Sequence, residues 1–581
     1  TQAQIGGKVT TYFEAKSPMN QITFDLANNM TVYQVMQRGA SLAYTQNSNE
    51  ELVITLPTTQ NTGILDSLTV TYSGNPVSSG FGSFEVNTHL GKPILWTLSE
   101  PYGAKAWWPC KQDLNDKVDA IDVYVTSPRL NPDGDEYVAV SNGLELGQVV
   151  NGPNKTTHYR HQYPIPAYLI AIAVTNYSVY SHEVPNNGNP FPIVNYVYPE
   201  NLVSAQTKTP ITVDIINLYT SLFGEYPFAN EKYGHAQFGW GGGMEHTTVS
   251  FMGGLSRGLI AHELGHQWFG DKVTCGSWKD IWLNEGFATY LAGLTIENLD
   301  GEVAFNNWKQ QTINSVTVGT SGAVYLTDTD TLNVNRIFSG RLSYDKGAMM
   351  IHMLRKKLGD AVFFQGCQNY LNDPSHAYGY AKSEDFISIM ETASGQDLSE
   401  FFNDWLYNQG YPSYGVEWNQ PNANEIKIRI SQTQSDPSVS FFEVPVPLRI
   451  VGTQGEIMEV VLNNTTNQEI FTKSVNFTVT EVIYDPNHDI ISRDNTVELN
   501  VNEAEFNQPF LMFPNPVSQT LHIQKPEAMQ ISEVRFYNAL GQLMSQRTFY
   551  PIMDVSNLST GMLFVQFQTN TGTITKSLLK N

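Results

Sequence analysis

One short motif constrains this chain of 581 residues more than any other feature: His262-Glu263-Leu264-Gly265-His266, followed by Glu285. Residues four apart lie on the same face of an α-helix, so both imidazoles can contact one cation. Two imidazoles and one carboxylate suit zinc and leave a fourth coordination position for water. Glu263 points away from the line of the histidines and can reach that water as a base without ligating the metal. The motif therefore predicts one zinc ion per chain, held by His262, His266 and Glu285.

The residues around the motif also favour a buried metal site. Apolar residues accompany the histidines at helical spacing, and a second helix is predicted from about Trp282 to Leu299 with Glu285 in its first turn. The alternative is a coincidental helix whose two histidines are satisfied by hydrogen bonds. From the composition, a chance motif of this form has a probability on the order of one per cent. We therefore favour the metal site.

The block from His262 to Leu291 resembles the gluzincin aminopeptidases, the group of aminopeptidase N and leukotriene hydrolase. Further matching segments extend the resemblance from about Leu98 to Pro412. The resemblance implies a thermolysin-like catalytic domain and a zinc-dependent aminopeptidase, an enzyme that removes N-terminal residues from peptides with a free N-terminus.

The segment GGGMEH, residues 241–246, resembles the family's G-x-M-E-N motif. The resemblance assigns the glutamate, here Glu245, to the substrate α-amine, and the glycines, here Gly242 and Gly243, to the substrate backbone. A carboxylate is a sound partner for an ammonium group that leaves water. His246 departs from the family's asparagine. The alternative is a glycine-rich turn with a surface glutamate.

Two further segments match the family. Leu98–Lys105 resembles the turn whose acidic residue, here Glu100, also contacts the substrate α-amine. Ser343–Met350 resembles the Y-x-K-G motif, which implies that the hydroxyl of Tyr344 stabilises the oxyanion formed as water adds to the scissile carbonyl. The alternatives are a polar turn that closes a strand and a core tyrosine that opens a helix.

The composition excludes several functions. A net charge of -23, from 33 basic and 56 acidic residues, excludes a nucleic-acid-binding protein. No run of eighteen apolar residues is present, so we expect no transmembrane segment. The three cysteines, Cys110, Cys275 and Cys367, are expected to be buried thiols. The chain begins at Thr1 without a signal-like stretch, as expected of a secreted protein whose leader was removed and equally of an engineered fragment.

The pattern along the chain predicts a multidomain α+β protein. Alternating apolar and polar residues predict a β-rich N-terminal domain over 1–179, and helical spacing predicts a mainly helical catalytic domain over 180–414. Strands return in a β-sandwich over 415–501. A polar linker, Val501–Pro509, leads to a small C-terminal β-sandwich over 510–581. We find no large helical segment after the catalytic domain, and so we expect an open cleft.

The C-terminal domain resembles the sorting domain of type IX secretion substrates of Bacteroidetes bacteria. The matching segments are Phe513–Val517, Val534–Gln542, Leu558–Val565 and Thr575–Asn581. The resemblance implies the type IX secretion machinery as a partner and an exported bacterial protein that is secreted or held at the cell surface. The alternative is a carbohydrate-binding or generic immunoglobulin-like module.

Three functions are compatible with these patterns. A secreted zinc aminopeptidase uses every residue assigned above. A thermolysin-type endopeptidase shares the metal and Glu263 but gives no role to Glu245. A non-catalytic secreted adhesion protein built of β modules gives no role to Glu263 or Tyr344. The aminopeptidase is the interpretation that accounts for most of the sequence.

Overall fold

The computed structural model describes residues 3–78, 81–500, 510–525, 529–569 and 572–581. The chain forms two compact units. The first runs to Gly410 and takes in Asn487–Ile491, and the second comprises Tyr411–Pro486 and Ser492–Asn581. The predicted linker Val501–Pro509 lies outside the described residues. None of the described helices has both the length and the apolar character needed to cross a membrane.

The first unit begins with antiparallel strands, as the alternating pattern predicted. Their bounds are β1 (Ile5–Glu14), β2 (Met19–Asp25), β3 (Met30–Gln37), β4 (Ala40–Ser41), β5 (Tyr44–Gln46), β6 (Glu51–Gln60) and β7 (Leu65–Gly74). They pair in the orders β1-β7-β3-β4 and β2-β6-β5. Because successive side chains point to opposite faces, each sheet buries one face, and Phe24, Leu52 and Val70 lie in the resulting core.

Two further sheets complete the β-rich part. Their strands are β8 (Phe84–His89), β9 (Lys92–Thr97), β10 (Ile121–Pro128), β11 (Val138–Ser141), β12 (Leu144–Asn151), β13 (Asn154–His161) and β14 (Ile172–Thr175). The orders are β11-β14-β9-β8 and β10-β13-β12. The turn that carries Glu100 directly follows β9.

A mixed sheet opens the catalytic region. It consists of β15 (Ser178–Val184), β16 (Phe191–Val197), β17 (Tyr233–Gln237), β18 (Gly243–Met244) and β19 (Ser250–Met252), in the order β15-β16-β17-β19-β18. β18 lies at the edge and pairs antiparallel with β19. The predicted amine-binding segment therefore forms the edge of this sheet.

Helices follow the sheet. They are α1 (Leu202–Lys208), α2 (Ile211–Phe223), α3 (Arg257–Gly265), α4 (Trp282–Asp300), α5 (Glu302–Val316), α6 (Val334–Ile337), α7 (Gly347–Leu358), α8 (Asp360–Asn372), α9 (Ser383–Ser394) and α10 (Ser399–Phe402), with π-helical segments at Gly340–Lys346 and Asn403–Tyr407. A small parallel pair joins β20 (Thr274–Cys275) to β21 (Tyr380–Ala381). Short 3-10 turns occupy Ala104–Ala106, Ala167–Leu169, Asn186–Gly188, Pro199–Asn201, Trp278–Asp280 and Asp330–Leu332. The helix predicted from about Trp282 is confirmed as α4.

The second unit contains only strands among its described residues. The first set is β22 (Pro412–Asn422), β23 (Glu425–Gln434), β24 (Pro445–Gly452), β25 (Ile457–Asn463), β26 (Glu469–Ser474), β27 (Val479–Tyr484) and β28 (Thr496–Leu499), in the orders β26-β23-β22-β28 and β25-β24-β27. No helix follows Tyr407 in the part of the chain that the structure describes.

The C-terminal strands form two sheets around their own core. They are β29 (Leu511–Phe513), β30 (Thr520–Gln524), β31 (Ile531–Asn538), β32 (Leu543–Arg547), β33 (Ile552–Asp554), β34 (Gly561–Thr569) and β35 (Gly572–Lys580), in the orders β29-β30-β33 and β32-β31-β34-β35. Leu521, Phe536, Val565 and Leu578 are buried in this core. The multidomain α+β architecture expected from the sequence is confirmed.

Candidate active site

The motif helix α3 begins with a side-chain cap. The hydroxyl of Ser256 accepts a hydrogen bond from the backbone N–H of Leu259 at 3.3 Å, which satisfies one of the free donors of the first turn. The helix ends at Gly265. A Cβ on Gly265 would lie 3.3 Å from Leu291 Cβ, so glycine permits the close approach of α3 to α4. This approach brings Glu285 on α4 to the histidines.

The three predicted metal ligands converge. His262 Nε2 and His266 Nε2 are 3.2 Å apart, and Glu285 Oε2 lies 3.2 Å from the first nitrogen and 3.3 Å from the second. A tetrahedral zinc ion with bonds of about 2.0–2.1 Å to its ligands separates the ligand atoms by about 3.3 Å. The three residues therefore fit a zinc ion.

A backbone carbonyl orients one of these ligands. His266 Nδ1 lies 3.2 Å from the carbonyl oxygen of Phe269, so Nδ1–H donates to it and Nε2 faces the other two predicted ligands. The side chains of His266 and Glu285 are buried, whereas 18% of the His262 side chain is exposed. Solvent and ligands therefore reach the metal position from the His262 side.

Glu263 lies beneath the edge strand β18. A Cβ on Gly243 would be 2.5 Å from Glu263 Cδ, so the side chain of any other residue at this position would collide with the carboxylate. The preceding residue, Gly242, has φ +77, a conformation that glycine adopts without strain. Because β18 is the edge strand of its sheet, the backbone N–H and C=O groups on its outer side have no neighbouring strand in the sheet. The two glycines predicted to lie along the substrate backbone thus lie beside the predicted base.

Glu245 belongs to the same buried cluster. One of its carboxylate oxygens lies within 4.8 Å of a Glu263 oxygen and of a His266 ring nitrogen. Its Oε1 has no hydrogen-bond partner among the described residues, and the same holds for Oε1 of buried Glu100. A buried carboxylate oxygen without a partner is costly. These two oxygens are available for a cationic group such as an ammonium.

The cluster is strongly acidic. Burial and the charge of Glu245 raise the pKa of Glu100 well above its usual range. Burial also raises the pKa of Glu263, with His266 opposing and Glu245 adding to the shift. Burial would lower the pKa of His266, but Glu245 and Glu285 outweigh it and raise that pKa to about 10. Burial and mutual repulsion disfavour the ionised carboxylates, so a cation bound among them would stabilise their charged forms.

Tyr344 lies in the π-helical segment Gly340–Lys346. Its ring stacks on that of His262, with centroids 5.8 Å apart and planes 9° apart. Burial, followed by the charges of Glu285 and Glu100, raises the pKa of Tyr344 well above its usual range. The phenol therefore keeps its proton and can donate a hydrogen bond near the metal position. Single-turn π-helices of this kind are frequent at functional sites.

A contact between two glycines joins Tyr344 to the metal ligands. Gly286 follows Glu285 on α4, and Gly347 opens α7 three residues after Tyr344. A Cβ on either glycine would lie 3.2 Å from the Cα of the other, so the two backbones touch. The glycines thereby set the distance between the helix that carries Glu285 and the segment that carries Tyr344.

The surroundings of His246, which replaces the family's asparagine, could not be read from the sequence. His246 is fully buried, and its ring packs edge-on against Phe251 with centroids 4.4 Å apart. Neither of its ring nitrogens has a partner within the described part of the chain. Burial lowers its pKa to about 3, so the ring is neutral. Gln267 and Asn142, which hold the neighbouring backbone, gave no signal because their partners are distant in sequence.

All three cysteines, Cys110, Cys275 and Cys367, are buried and free, as expected.

Comparison with protein families matches three parts of the chain. Residues 255–405 match the peptidase family M1 domain. Residues 1–169 match the peptidase M1 N-terminal domain. Residues 511–581 match the secretion system C-terminal sorting domain. The first match contains the three converging metal ligands and Tyr344, and the second contains Glu100.

Curated relatives include several aminopeptidases. Aminopeptidase M1-C of Oryza sativa subsp. japonica is 30% identical over 308 residues, covering 48% of this chain and 34% of the relative. Glutamyl aminopeptidase of Bos taurus is 29% identical over 381 residues, covering 60% and 38%. Tricorn protease-interacting factor F2 of Thermoplasma volcanium is 27% identical over 388 residues, covering 63% and 47%. The matches span about a third to a half of the length of these relatives.

Solved structures share the fold. An M1 zinc metallopeptidase from Deinococcus radiodurans superposes with a TM-score of 0.61 at 24% identity, covering 69% of this chain and 89% of that chain. A mutant of the same metallopeptidase bound to a Tyr-Ser-Ala substrate gives a TM-score of 0.61 at 24% identity. At this level of identity the likeness establishes the fold alone.

Proposed function

This chain carries the peptidase family M1 domain together with the M1 N-terminal domain, and we propose that it is a zinc-dependent aminopeptidase. The proposal depends on two groups of side-chain atoms that lie together in one buried place. Three ligand atoms lie 3.2–3.3 Å from one another, and beside them Glu245 and Glu100 each have a buried oxygen without a partner among the described residues. The first group suits a zinc ion, and the second suits the free amine of a peptide.

His262, His266 and Glu285 would hold the zinc ion. When bound, zinc polarises a water molecule and the scissile carbonyl. Glu263 takes a proton from the attacking water and passes it to the nitrogen of the leaving amine. Its burial beneath Gly243 supports this role, because burial raises the pKa of Glu263 and makes the carboxylate a stronger base.

Glu245 and Glu100 bind the substrate α-amine. Their charges compensate the ammonium group as it leaves water, and a peptide with a blocked N-terminus leaves them without a cation. The open edge of β18 supports a further role for Gly242 and Gly243, which pair with the substrate backbone. These contacts fix cleavage after the first residue.

Tyr344 donates a hydrogen bond to the oxyanion that forms when water adds to the carbonyl. Its stacking on His262 supports this role, because it holds the phenol beside the metal ligands. Tyr344→Phe removes the donor and keeps the ring. We expect kcat to fall by about a hundredfold or more, as for other single oxyanion donors, with little change in KM.

The test is hydrolysis of a panel of aminoacyl reporter substrates, each with an N-acetylated control. We expect cleavage of the free-amine substrates only, about one zinc per chain by metal analysis, and loss of activity on chelation. Glu263→Gln should bind zinc normally and hydrolyse at least about a hundredfold more slowly. Full activity of metal-free protein would disprove the mechanism.

Glu245→Ala separates this proposal from a thermolysin-type endopeptidase. An aminopeptidase loses its amine anchor and its activity, whereas an endopeptidase keeps cleaving internal bonds. Equal rates on free and acetylated peptides would favour the endopeptidase. Catalysis itself would exclude a purely adhesive β-module protein.

The sorting domain suggests export, and we propose the type IX secretion machinery as the partner and a secreted or cell-surface location. We also propose the domain limits 1–179, 180–414, 415–501 and 510–581, with Bacteroidetes as the source group. The separate core of the C-terminal strands supports the last boundary. Deleting residues from Phe510 onward should leave peptide hydrolysis nearly unchanged and prevent export.

A further inference from the structure

The backbone that follows the edge strand β18 is held by two buried side-chain amides. We call residues Glu245–Thr248 the anchor segment. Gln267 Nε2 donates to the carbonyl oxygen of Glu245 at 3.1 Å, and Gln267 Oε1 accepts from the backbone N–H of Thr248 at 2.9 Å. These two partners fix the orientation of the amide, because the N–H needs the oxygen and the carbonyl needs the NH₂ group. One side chain thus spans the whole anchor segment.

Asn142 holds the same segment from another direction. Its Nδ2 donates to the carbonyl oxygens of Thr247 and Leu169, each at 2.9 Å. Its Oδ1 accepts from the backbone N–H of Ala171 at 2.9 Å. Both Gln267 and Asn142 are fully buried. The anchor segment is therefore tied to the N-terminal β region as well as to the end of the motif helix.

The conformation of the anchor segment needs such support. Thr248 has φ 68, in the left-handed region that a β-branched residue avoids. A residue held there is strained and keeps this conformation only when its surroundings enforce it. The bond from Gln267 to the Thr248 N–H supplies part of this enforcement. Gln267 also directly follows His266, so the same side chain connects a metal ligand to Glu245.

We infer that Gln267 and Asn142 are positioning residues that set Glu245 at the distance from the metal ligands that a substrate amine requires. This inference rests on the proposed aminopeptidase function. Both side chains are neutral, so they hold the backbone without adding charge to an acidic cluster. They touch neither the metal ligands' coordinating atoms nor the Glu245 carboxylate, and they act through the backbone alone.

The test measures recognition of the amine directly. In a Glu263→Gln background, which prevents turnover, the affinities of trialanine and N-acetyl-trialanine are measured by calorimetry. The ratio of the two affinities reports the amine anchor. Gln267→Met has a similar shape and lacks both hydrogen bonds, so the ratio should fall by about tenfold or more. Zinc content should stay at about one per chain, because the metal ligands are unchanged.

Gln432 offers a matched control in the second unit. Its amide donates to the carbonyl of Phe442 at 3.1 Å and accepts from the N–H of Phe442 at 2.8 Å, so it makes the same pair of bonds as Gln267. Gln432→Met should lower stability and leave the affinity ratio unchanged. A general loss of packing would lower the stability of both variants but would leave the ratio of the two peptide affinities unchanged.

The outcomes separate the inference from the function on which it rests. If the Glu263→Gln parent binds both peptides equally, the proposed function fails and this inference with it. If the parent is selective and Gln267→Met keeps the same ratio, or loses its zinc, the positioning role alone is disproved. Should Gln267→Met fail to fold, Gln267→Asn keeps a buried amide that is one methylene too short, and the ratio should fall for it as well.

Discussion

Replacing Gly347 with alanine should slow peptide hydrolysis while leaving zinc and substrate binding in place. The new Cβ would lie 3.2 Å from Gly286 Cα, whereas carbon atoms in ordinary contact are about 3.5–4.0 Å apart. The two helices must therefore separate by roughly 0.5 Å at this point. Gly286 Cα belongs to buried backbone, which cannot rotate aside as a flexible side chain can. Tyr344 is three residues away and moves with the start of α7.

The magnitude follows from this displacement. A misplacement of about 1 Å in a catalytic group can cost about a hundredfold in rate, so about half of that displacement should cost about tenfold. Overpacking should also lower the free energy of unfolding by about 1–3 kcal/mol. Zinc binding should persist because none of the predicted ligands lies on α7: His262 is on α3, His266 directly follows that helix, and Glu285 is in the first turn of α4. We therefore expect a fall in kcat with little change in KM.

The assay compares Gly347→Ala with Gly258→Ala in steady-state hydrolysis, metal analysis and thermal unfolding. A Cβ on Gly258, in the motif helix, has nothing within 4 Å. That variant should keep its kcat and gain about 0.5–1 kcal/mol of stability, since alanine favours helix. An unchanged kcat in Gly347→Ala, or a loss of zinc equal to the loss of rate, would refute the argument.

Three further predictions concern charge and metal. Asp489 Oδ1 lies 2.6 Å from Lys309 Nζ and 2.9 Å from His352 Nε2, all buried, so Asp489→Asn should destabilise the protein by about 3–5 kcal/mol in denaturant unfolding. Asp328→Ala breaks an exposed pair with Lys279 and should cost less than about 1 kcal/mol. Burial lowers the pKa of His352 to about 4, so the unfolded chain binds the extra proton. The contribution of His352 to stability should therefore fall as pH drops from about 6.5 to about 4, by on the order of 3 kcal/mol, and the same pH dependence in a His352→Phe variant would contradict this. Chelation should lower the melting temperature and added zinc should restore it, because the ion binds only the folded ligands.

Much of the fold and of the metal position could be predicted because their signals are local. The spacing of His262 and His266 follows from the helical repeat, and alternation of apolar and polar residues predicted the strands of the β-rich regions. The position of α4 followed from helical spacing, and with it the position of Glu285 in the first turn. These features depend on residues within one or two turns or on one strand, where backbone geometry leaves few choices.

The segment that joins the first unit late in the chain could not be predicted in this way. Sequence analysis assigned residues near Asp489 to a β-sandwich, whereas Asn487–Ile491 belongs to the first unit and Asp489 pairs with Lys309, 180 positions earlier. The strand pattern continues on both sides of this segment, so the apolar periodicity does not indicate that these residues belong to the first unit. The assignment is evident only from the structure, in which the carboxylate of Asp489 is buried among the helices of the first unit.

The sequence by itself determined which residues can bind a metal, where the helices and strands lie, and that the chain has several domains. Tertiary structure alone decided how the proposed amine anchor is held and how far Tyr344 lies from the predicted metal ligands. Gln267 bonds to Glu245 across 22 positions, and Asn142 bonds to Thr247 across 105. The physical reason is that local periodicity fixes the direction of a side chain relative to its own helix or strand. The distance between two elements is set instead by packing, such as the contact of Gly286 with Gly347, which no local pattern records.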